Sequence, residues 1–195
     1  MPTGVPIGDA RARLFDAADR LLLRGGPSAL TSRAVTEEAG TAKGVLHKHF
    51  DDFDGFLAEF VLDRVHRMDE RAAALRDVAG TGSVTGNLTE ALVALFGSVA
   101  VSIVALVTFR DGLRARLRET WPVGVPVLTD AAEMIADYLA AERDLGRLAP
   151  GAEPQGLAAM LVGTAHLLFA DRTGEAPTEA AVRDAVESVM GGVLV

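Results

Sequence analysis

The stretch Leu30 to Phe50, LTSRAVTEEAGTAKGVLHKHF, decides the reading of this chain. Thr31 carries a hydroxyl of the kind that caps a helix start, and Val35 and Ala39 follow it at helical spacing. Gly40 supplies the left-handed or tight conformation that a turn needs. Thr41 is the expected cap of a further short helix, with Val45 and Leu46 turned inward and Phe50 closing the unit. That helix is polar and cationic, since Lys43, His47, Lys48 and His49 crowd into seven residues. Two short helices joined by such a turn can lay the second in the DNA major groove, where all four base pairs are distinguishable.

Upstream, Leu14, Ala17, Ala18, Leu21 and Leu22 recur at helical spacing from an expected N-cap at Asp9 to Gly25-Gly26-Pro27. With Leu30, Val35, Leu46 and Phe50 they make a core suited to a three-helix domain, preceded by an arm over residues 1–8 expected to be mobile. Downstream the pattern changes. Phe53, Phe56, Leu57, Phe60, Val61, Arg64, Val65, Met68, Ala72 and Leu75 follow the i, i+3, i+4, i+7 pattern of one long amphipathic helix. A Gly/Ser/Thr loop over 81–86 follows, with Asn87 and Glu90 as an expected capping pair.

Ala91 to Phe109 is a run of 19 residues without a charge. As one helix it measures about 28 Å, close to the thickness of a bilayer core. A central helix surrounded by other helices has the same composition, and the amphipathic segments on either side need such a partner. The chain is therefore expected to use it as core, without a membrane. Further helices are expected over 110–120, over 129–147, from Pro154 as a first helical residue, and through a final segment presenting Val182, Val186, Val189, Met190 and Val193.

Composition bounds what this body can do. Hydrophobic residues make up 49% and mean hydropathy is +0.25, enough to build a packed core. Ala, Leu and Val dominate over aromatics, which favours helices, and the fold class expected is all-α. Cysteine is absent, which excludes disulfides and thiolate metal sites. The net charge of −8 argues against a general nucleic-acid coat protein. Residues 1–55 carry seven Lys/Arg against eight Asp/Glu, so DNA binding must come from local placement of cations and must be salt-sensitive. Met1 to Gly8 lacks the cationic start and apolar run of a signal peptide, and the cytoplasm is the expected location.

These residues carry a resemblance. The early Leu14-Phe15-x-x-Ala18, the Thr31-x-x-x-Val35 start, Glu37-Glu38-Ala39-Gly40, Lys43-Gly44-x-Leu46-x-x-His49-Phe50 and Phe56-Leu57 resemble the tetracycline-repressor-like (TetR-type) family of transcriptional regulators. The later part resembles that family in layout only. The resemblance implies a homodimer that sets two recognition helices in successive major grooves and leaves its operator when a small apolar or amphipathic effector binds the body. It implies DNA contacts from Thr31 and Arg33 at the start of the second helix, and from Thr41, Ala42, Lys43, Val45, His47 and Lys48 along the groove. His49 is then placed near a phosphate.

Departures from the family pattern stand beside these. His47 replaces the usual Tyr, Ala42 the usual small polar residue and Val45 the usual Thr. Phe53 replaces the usual Lys that opens the fourth helix, inside the acidic run Asp51, Asp52, Asp54. One phosphate contact is lost and repulsion is added, which implies weaker non-specific binding.

The functional division is expected at residue 53: residues 1–53 bind DNA, and residues 54–195 bind effector and partner subunit. Phe60, Arg64, Phe96, Ser102, Phe109, Trp121, Met134, Tyr138, His166 and Phe169 are the candidate lining of an apolar cavity with a few polar handles. Arg64 stands out on an apolar stripe, where it needs a partner or an anionic ligand; snorkelling to solvent is the plain alternative. For the dimer interface the candidates are Leu161, Thr164, Ala165, Leu168, Val182, Val186, Val189 and Met190, which equally suit a monomer core.

His47 and His49 lie two apart and point in different helical directions, so no shared metal ion is expected, and no cofactor. No nucleophile elbow, P-loop or HExxH occurs, and no enzyme is expected. A small-molecule binding protein with little DNA affinity and a membrane-associated helical protein are the competing readings.

Overall fold

The computed structural model describes residues 7–122, 124–170 and 175–195, with side chains from residue 10 onward. The expected mobile arm falls mostly outside them. The described residues form ten α-helices and no β-strand: α1 (Ile7–Gly25), α2 (Ser32–Glu38), α3 (Gly44–His49), α4 (Phe53–Asp77), α5 (Val84–Phe96), α6 (Ala100–Phe109), α7 (Asp111–Thr120), α8 (Leu128–Asp144), α9 (Pro154–Ala170) and α10 (Glu179–Met190). A single antiparallel bridge joins Leu148 and Leu194. The all-α class is as the composition predicts.

Contacts divide the chain into two compact units, residues 1–63 with 102–123 and residues 64–101 with 124–195. This division differs from the one expected at residue 53, because the first turns of α4 and most of α6 and α7 pack with the N-terminal helices. In the first unit Leu14, Ala18, Leu22, Val35 and Leu46 are fully buried. Phe15, Phe50, Phe56 and Phe60 make an aromatic cluster with ring centroids 5.1 to 6.4 Å apart; the Phe56–Phe60 pair is stacked and the others are tilted or edge-on.

The local chemistry of the turn is mostly as expected. Thr31 caps α2, its hydroxyl oxygen accepting from the Ala34 amide at 3.1 Å, and Gly40 takes a left-handed φ of 63°. The start of α3 is different. Thr41 gives its hydroxyl proton to the Thr36 carbonyl, at 3.3 Å, and closes the end of α2 instead. Lys43, without a side-chain cap bond, occupies the N-cap of α3. The helix therefore begins at Gly44, later than a Thr41 cap implies. Similarly α1 begins at Ile7, ahead of Asp9.

The uncharged run is not one helix. It is broken between α5 and α6 by a turn over residues 97–99. A Gly97-Ser98 pair sits at the break, a common cause of sharp kinks. Among the described residues no single helix is long and apolar enough to cross a membrane, although this bent pair passes on length and composition. Much of the run is buried inside the protein, including Leu92, Leu95, Phe96, Ile103 and Val107.

In the second unit α8 packs on α9, and α10 packs on both α5 and α9. A buried polar cluster fastens α8 to the α4–α5 loop. Glu142, fully buried, accepts from the Tyr138 hydroxyl at 2.5 Å, from Arg147 at 3.1 and 3.2 Å, and from the Gly80 amide at 3.2 Å. Arg147 also donates to the Gly82 carbonyl at 2.7 Å. Asn87 is not the expected helix cap. Ser83 caps α5, while the Asn87 amide donates to the Thr81 carbonyl and the Tyr138 hydroxyl, both at 3.0 Å. Burial raises the Tyr138 phenol well above its ordinary range, and its bond to Glu142 acts in the same direction.

Replacing Arg147 by Met strips the buried Glu142 carboxylate of its cation. The expected cost is about 2–4 kcal/mol, reduced from a fully buried pair because Arg147 is partly exposed. The urea midpoint of the variant should fall at unchanged denaturant slope, and an unshifted midpoint would show that the cluster contributes nothing to stability.

Candidate nucleic-acid interface

A helix of six residues does not hold itself together in water, so α3 depends on what it leans on. Leu46 is fully buried, Phe50 ends the helix inside the aromatic cluster, and the opposite side is left to solvent. Ala42, Lys43, Gly44, His47 and Lys48 are exposed, while Thr41, Val45 and His49 are half-buried. Val45 thus lies on the edge, neither fully inward nor fully free. Nothing lies within 4 Å of the position a side chain at Gly44 would take, so the backbone at the start of α3 is open to close approach.

On α2, Thr31 and Arg33 are exposed at the same end of the helix. The Thr31 hydroxyl is engaged as the cap, though it retains its proton for donation. Arg33 is held by Glu37 one turn on, at 2.7 Å, so a phosphate must compete with that exposed pair.

The other cations of the N-terminal helices are occupied within the protein. Arg20 and Arg24 of α1 grip Glu38 of α2 at 2.7 and 2.5 Å, and these bonds, Arg24 first, hold the Glu38 carboxyl down at about 2. Arg13 donates to the Ala39 carbonyl at 2.6 Å beside the turn. Arg11 pairs with Glu59, lies over the Phe50 ring at 4.6 Å from its centroid, and donates to the His49 carbonyl at 3.3 Å. These contacts lock α1, α2 and α3 into one body. Sequence reasoning missed this role of Arg11 and Arg13, whose positions on the polar side of α1 gave no sign of it.

The candidate cavity residues fall in both units. Phe60, Ser102, Phe109 and Trp121 belong to the first unit; Arg64, Phe96, Met134, Tyr138, His166 and Phe169 belong to the second. Phe60 is fully buried in the aromatic cluster, and Tyr138 is fully buried with its hydroxyl committed to Glu142, so both are packing residues. Phe109, the last residue of α6, is 87% exposed. Arg64 and Ser102 are buried, and Trp121 is half-buried after the last turn of α7.

A groove of about 270 Å³ does exist in the second unit, lined by Arg71, Ala74 and Leu75 of α4, Val78 just after it, Asn87, Glu90, Ala91 and Ala94 of α5, and Met134 of α8. Of the ten candidates, Met134 lines it. Elsewhere in that unit Phe96 lies 6.0 Å from the His166 ring and 6.1 Å from the Phe169 ring. The Nδ1 atom of His166 is buried without a hydrogen-bond partner, and desolvation pushes the imidazole below its ordinary value.

The stripe that is the candidate dimer interface is largely used inside the chain itself. Leu161, Ala165, Val182, Val186 and Met190 are buried where α9, α10 and α5 meet, and Thr164, Leu168 and Val189 are half-buried around them. Periodicity finds an apolar face, but does not say whether the same chain or another covers it. The opposite face of α9 is also apolar: Ala159, Met160, Gly163 and Leu167 are exposed, Leu167 at 75%.

Residues 14–60 match the family model described as bacterial regulatory proteins, tetR family. Among curated proteins, none matches this chain. Among solved structures, a TetR-family transcriptional regulator from Agrobacterium tumefaciens superposes with a TM-score of 0.73 at 12% identity, covering 97% of this chain and 100% of that one. SmeT, the repressor of the Stenotrophomonas maltophilia multidrug efflux pump SmeDEF, gives 0.60 at 20% identity, with 96% and 93% coverage. The SmeT–triclosan complex gives 0.65 at 18% identity, with 95% and 92% coverage. At these identities the likeness shows a shared fold.

The desolvated His166 makes stability pH-dependent with a definite sign. The folded protein holds a proton on this ring less readily than the unfolded chain, so nothing is lost above about pH 6.5, and stability falls as pH drops below it. His166→Leu should flatten the decline in urea-unfolding free energy between about pH 7 and 5 by at most about 1.4 kcal/mol per pH unit. An unchanged decline in the variant would mean that the ring is solvated when charged.

Proposed function

We propose that this chain is a TetR-type bacterial regulator, as the family match over residues 14–60 supports, and that it binds operator DNA through α3 as a homodimer and is released by a small effector. One observation carries the reading: the cationic side of α3 is exposed, while its apolar side is anchored through Leu46 and Phe50. In the bound state Lys43, His47 and Lys48 face the duplex, with Ala42 and Val45 against base edges. Thr31, Arg33 and His49 serve the phosphates at the rim, and Thr41 joins them by turning its hydroxyl proton away from the Thr36 carbonyl. Repression and release are proposed here, and the action belongs in the cytoplasm, where an operator is accessible.

The functional division proposed is residues 1–53 for DNA and 54–195 for effector and partner. The groove lined by Leu75, Val78, Ala91 and Met134 suits an amphipathic effector, whose polar end would meet Arg71, Asn87 or Glu90. The triclosan complex of SmeT supports the idea that this fold takes up small apolar molecules. Because α4 is one continuous helix of 25 residues, a shift of its groove-lining turns is also a shift of the turns that follow α3. Effector occupancy would thus move the two recognition helices off the ~34 Å spacing of successive half-sites.

For the dimer, the proposed contact is the outward face of α9 around Met160, Gly163 and Leu167, in place of the inward stripe. A 17-residue helix without a single Asp, Glu, Lys or Arg, apolar on its exposed side, is unusual at a surface that meets only water. Leu167→Glu should therefore yield a monomer in sedimentation, and a dimer persisting in that variant would place the interface elsewhere.

The DNA reading is tested by the salt dependence of duplex binding. Each of Lys43→Ala and Lys48→Ala should reduce affinity and flatten the log–log salt slope by about 0.9 for each lost phosphate contact. Variants indistinguishable from wild type at every salt concentration would favour the alternative, a small-molecule binding protein with little DNA affinity.

A further inference from the structure

Three carboxylates follow α3 directly: Asp51, Asp52 and Asp54. Their place has a local reason. Asp52 accepts from the Gly55 amide at 2.8 Å and so caps α4, and Asp54 lies in the first turn, where the helix dipole favours an anion. The same place makes them a liability beside DNA. Asp52 is four residues beyond Lys48, hence within about 15 Å along the chain, and exposed charges act over a Debye length of about 8–10 Å. A phosphate drawn to Lys48 would also feel these carboxylates.

The structure supplies the countercharge from α7. Arg116 pairs with Asp52, and Arg110 pairs with Asp54 at 2.5 Å while its guanidinium lies 5.2 Å from the centroid of the Phe53 ring. Two glycines permit the approach. A side chain at Gly112 would collide with the Asp54 carboxylate, and one at Gly55 would sit 3.4 Å from the Arg116 guanidinium. The apolar anchoring of α7 comes from Leu113 and Leu117, both buried, so these two arginines are not needed to fill the core. The remaining arginines of α7 turn elsewhere: Arg114 to Asp111 and the Thr108 carbonyl, Arg118 to the Pro122 carbonyl.

We propose that Arg110 and Arg116 are built-in counter-ions of the DNA-binding head: by neutralising Asp54 and Asp52 they let the phosphate backbone approach α3, and so set duplex affinity without touching DNA. The inference rests on the DNA-binding reading above. It reverses the expectation that the acidic run simply repels DNA. It also adds α7, outside the helix-turn-helix, to the determinants of affinity.

A charge-deletion cycle tests it, read by fluorescence anisotropy on a labelled mixed-sequence duplex of about 30 base pairs, long enough for two half-sites. Arg116→Gln should weaken binding about threefold, and Arg110→Gln with Arg116→Gln about tenfold, the loss fading at high salt. Adding Asp52→Asn to Arg116→Gln should restore wild-type affinity; asparagine also caps helices, so α4 keeps its start. Arg116→Lys should bind as wild type, since it keeps the charge. Were Arg116 instead a phosphate contact, the Asp52→Asn/Arg116→Gln protein would recover only the repulsion of Asp52 and stay well below wild type, and that result overturns the proposal. Loss of binding in Arg116→Lys would equally overturn it, by showing that the arginine acts through packing. Wild-type protein with no salt-dependent duplex binding would remove the DNA reading itself, a different outcome from a failed cycle.

Discussion

Everything proposed for this protein depends on how a helix of six residues is held. Helix nucleation is costly and α3 is far too short to persist alone. Its existence is a tertiary effect: Leu46 enters the small core of α1 and α2, Phe50 joins the aromatic cluster, and Arg11 ties the last carbonyl of the helix to α1. Burying one side obliges the other to face solvent. The exposed cations of α3 are thus a geometric consequence of where its two large apolar residues go.

Around that helix, charge is distributed with little left over. Most arginines of α1 are spent on Glu38, Glu59 and the Ala39 carbonyl, which rigidifies the head and removes them from any outside partner. What remains facing outward on α3 and its approach is Lys43, His47 and Lys48. Such economy explains how a chain of net charge −8 can present a local cationic surface. Over distances beyond a Debye length the total charge is screened, and over shorter ones only the nearest groups count.

Much of the fold was legible from periodicity and punctuation. The Thr31 cap, the left-handed Gly40, the long α4 and Pro154 as the first residue of α9 all follow from local chemistry that needs no tertiary context. The errors share a cause. Thr41 has two possible uses for its hydroxyl, closing α2 or opening α3, and the choice depends on packing. Asn87 looks like a cap until Tyr138, 51 residues away, gives its amide another partner. The run from Ala91 to Phe109 reads as one helix because Gly97-Ser98 is only a permissive break, made actual by what surrounds it. The candidate ligand residues were chosen for size and polarity, and the chain distributes them between two units, which no spacing rule foresees.

The α9 helix makes the same point about surfaces. Its sequence is apolar on nearly every side, and hydropathy alone makes it a core helix or an interface helix with equal right. Only the packing separates the two faces: Leu157, Leu161 and Ala165 are covered by their own chain, whereas Met160 and Leu167 are not. Burying a Met or Leu side chain against a partner contributes about 1.5–3 kcal/mol each relative to exposure. A twofold axis doubles that contribution, because each contact then occurs twice. An uncovered apolar face on a helix already anchored by its other side is rigid before any partner arrives, so association there loses little conformational entropy. That rigidity favours a dimer through this face over one that would first have to pry α9 from α8 and α10.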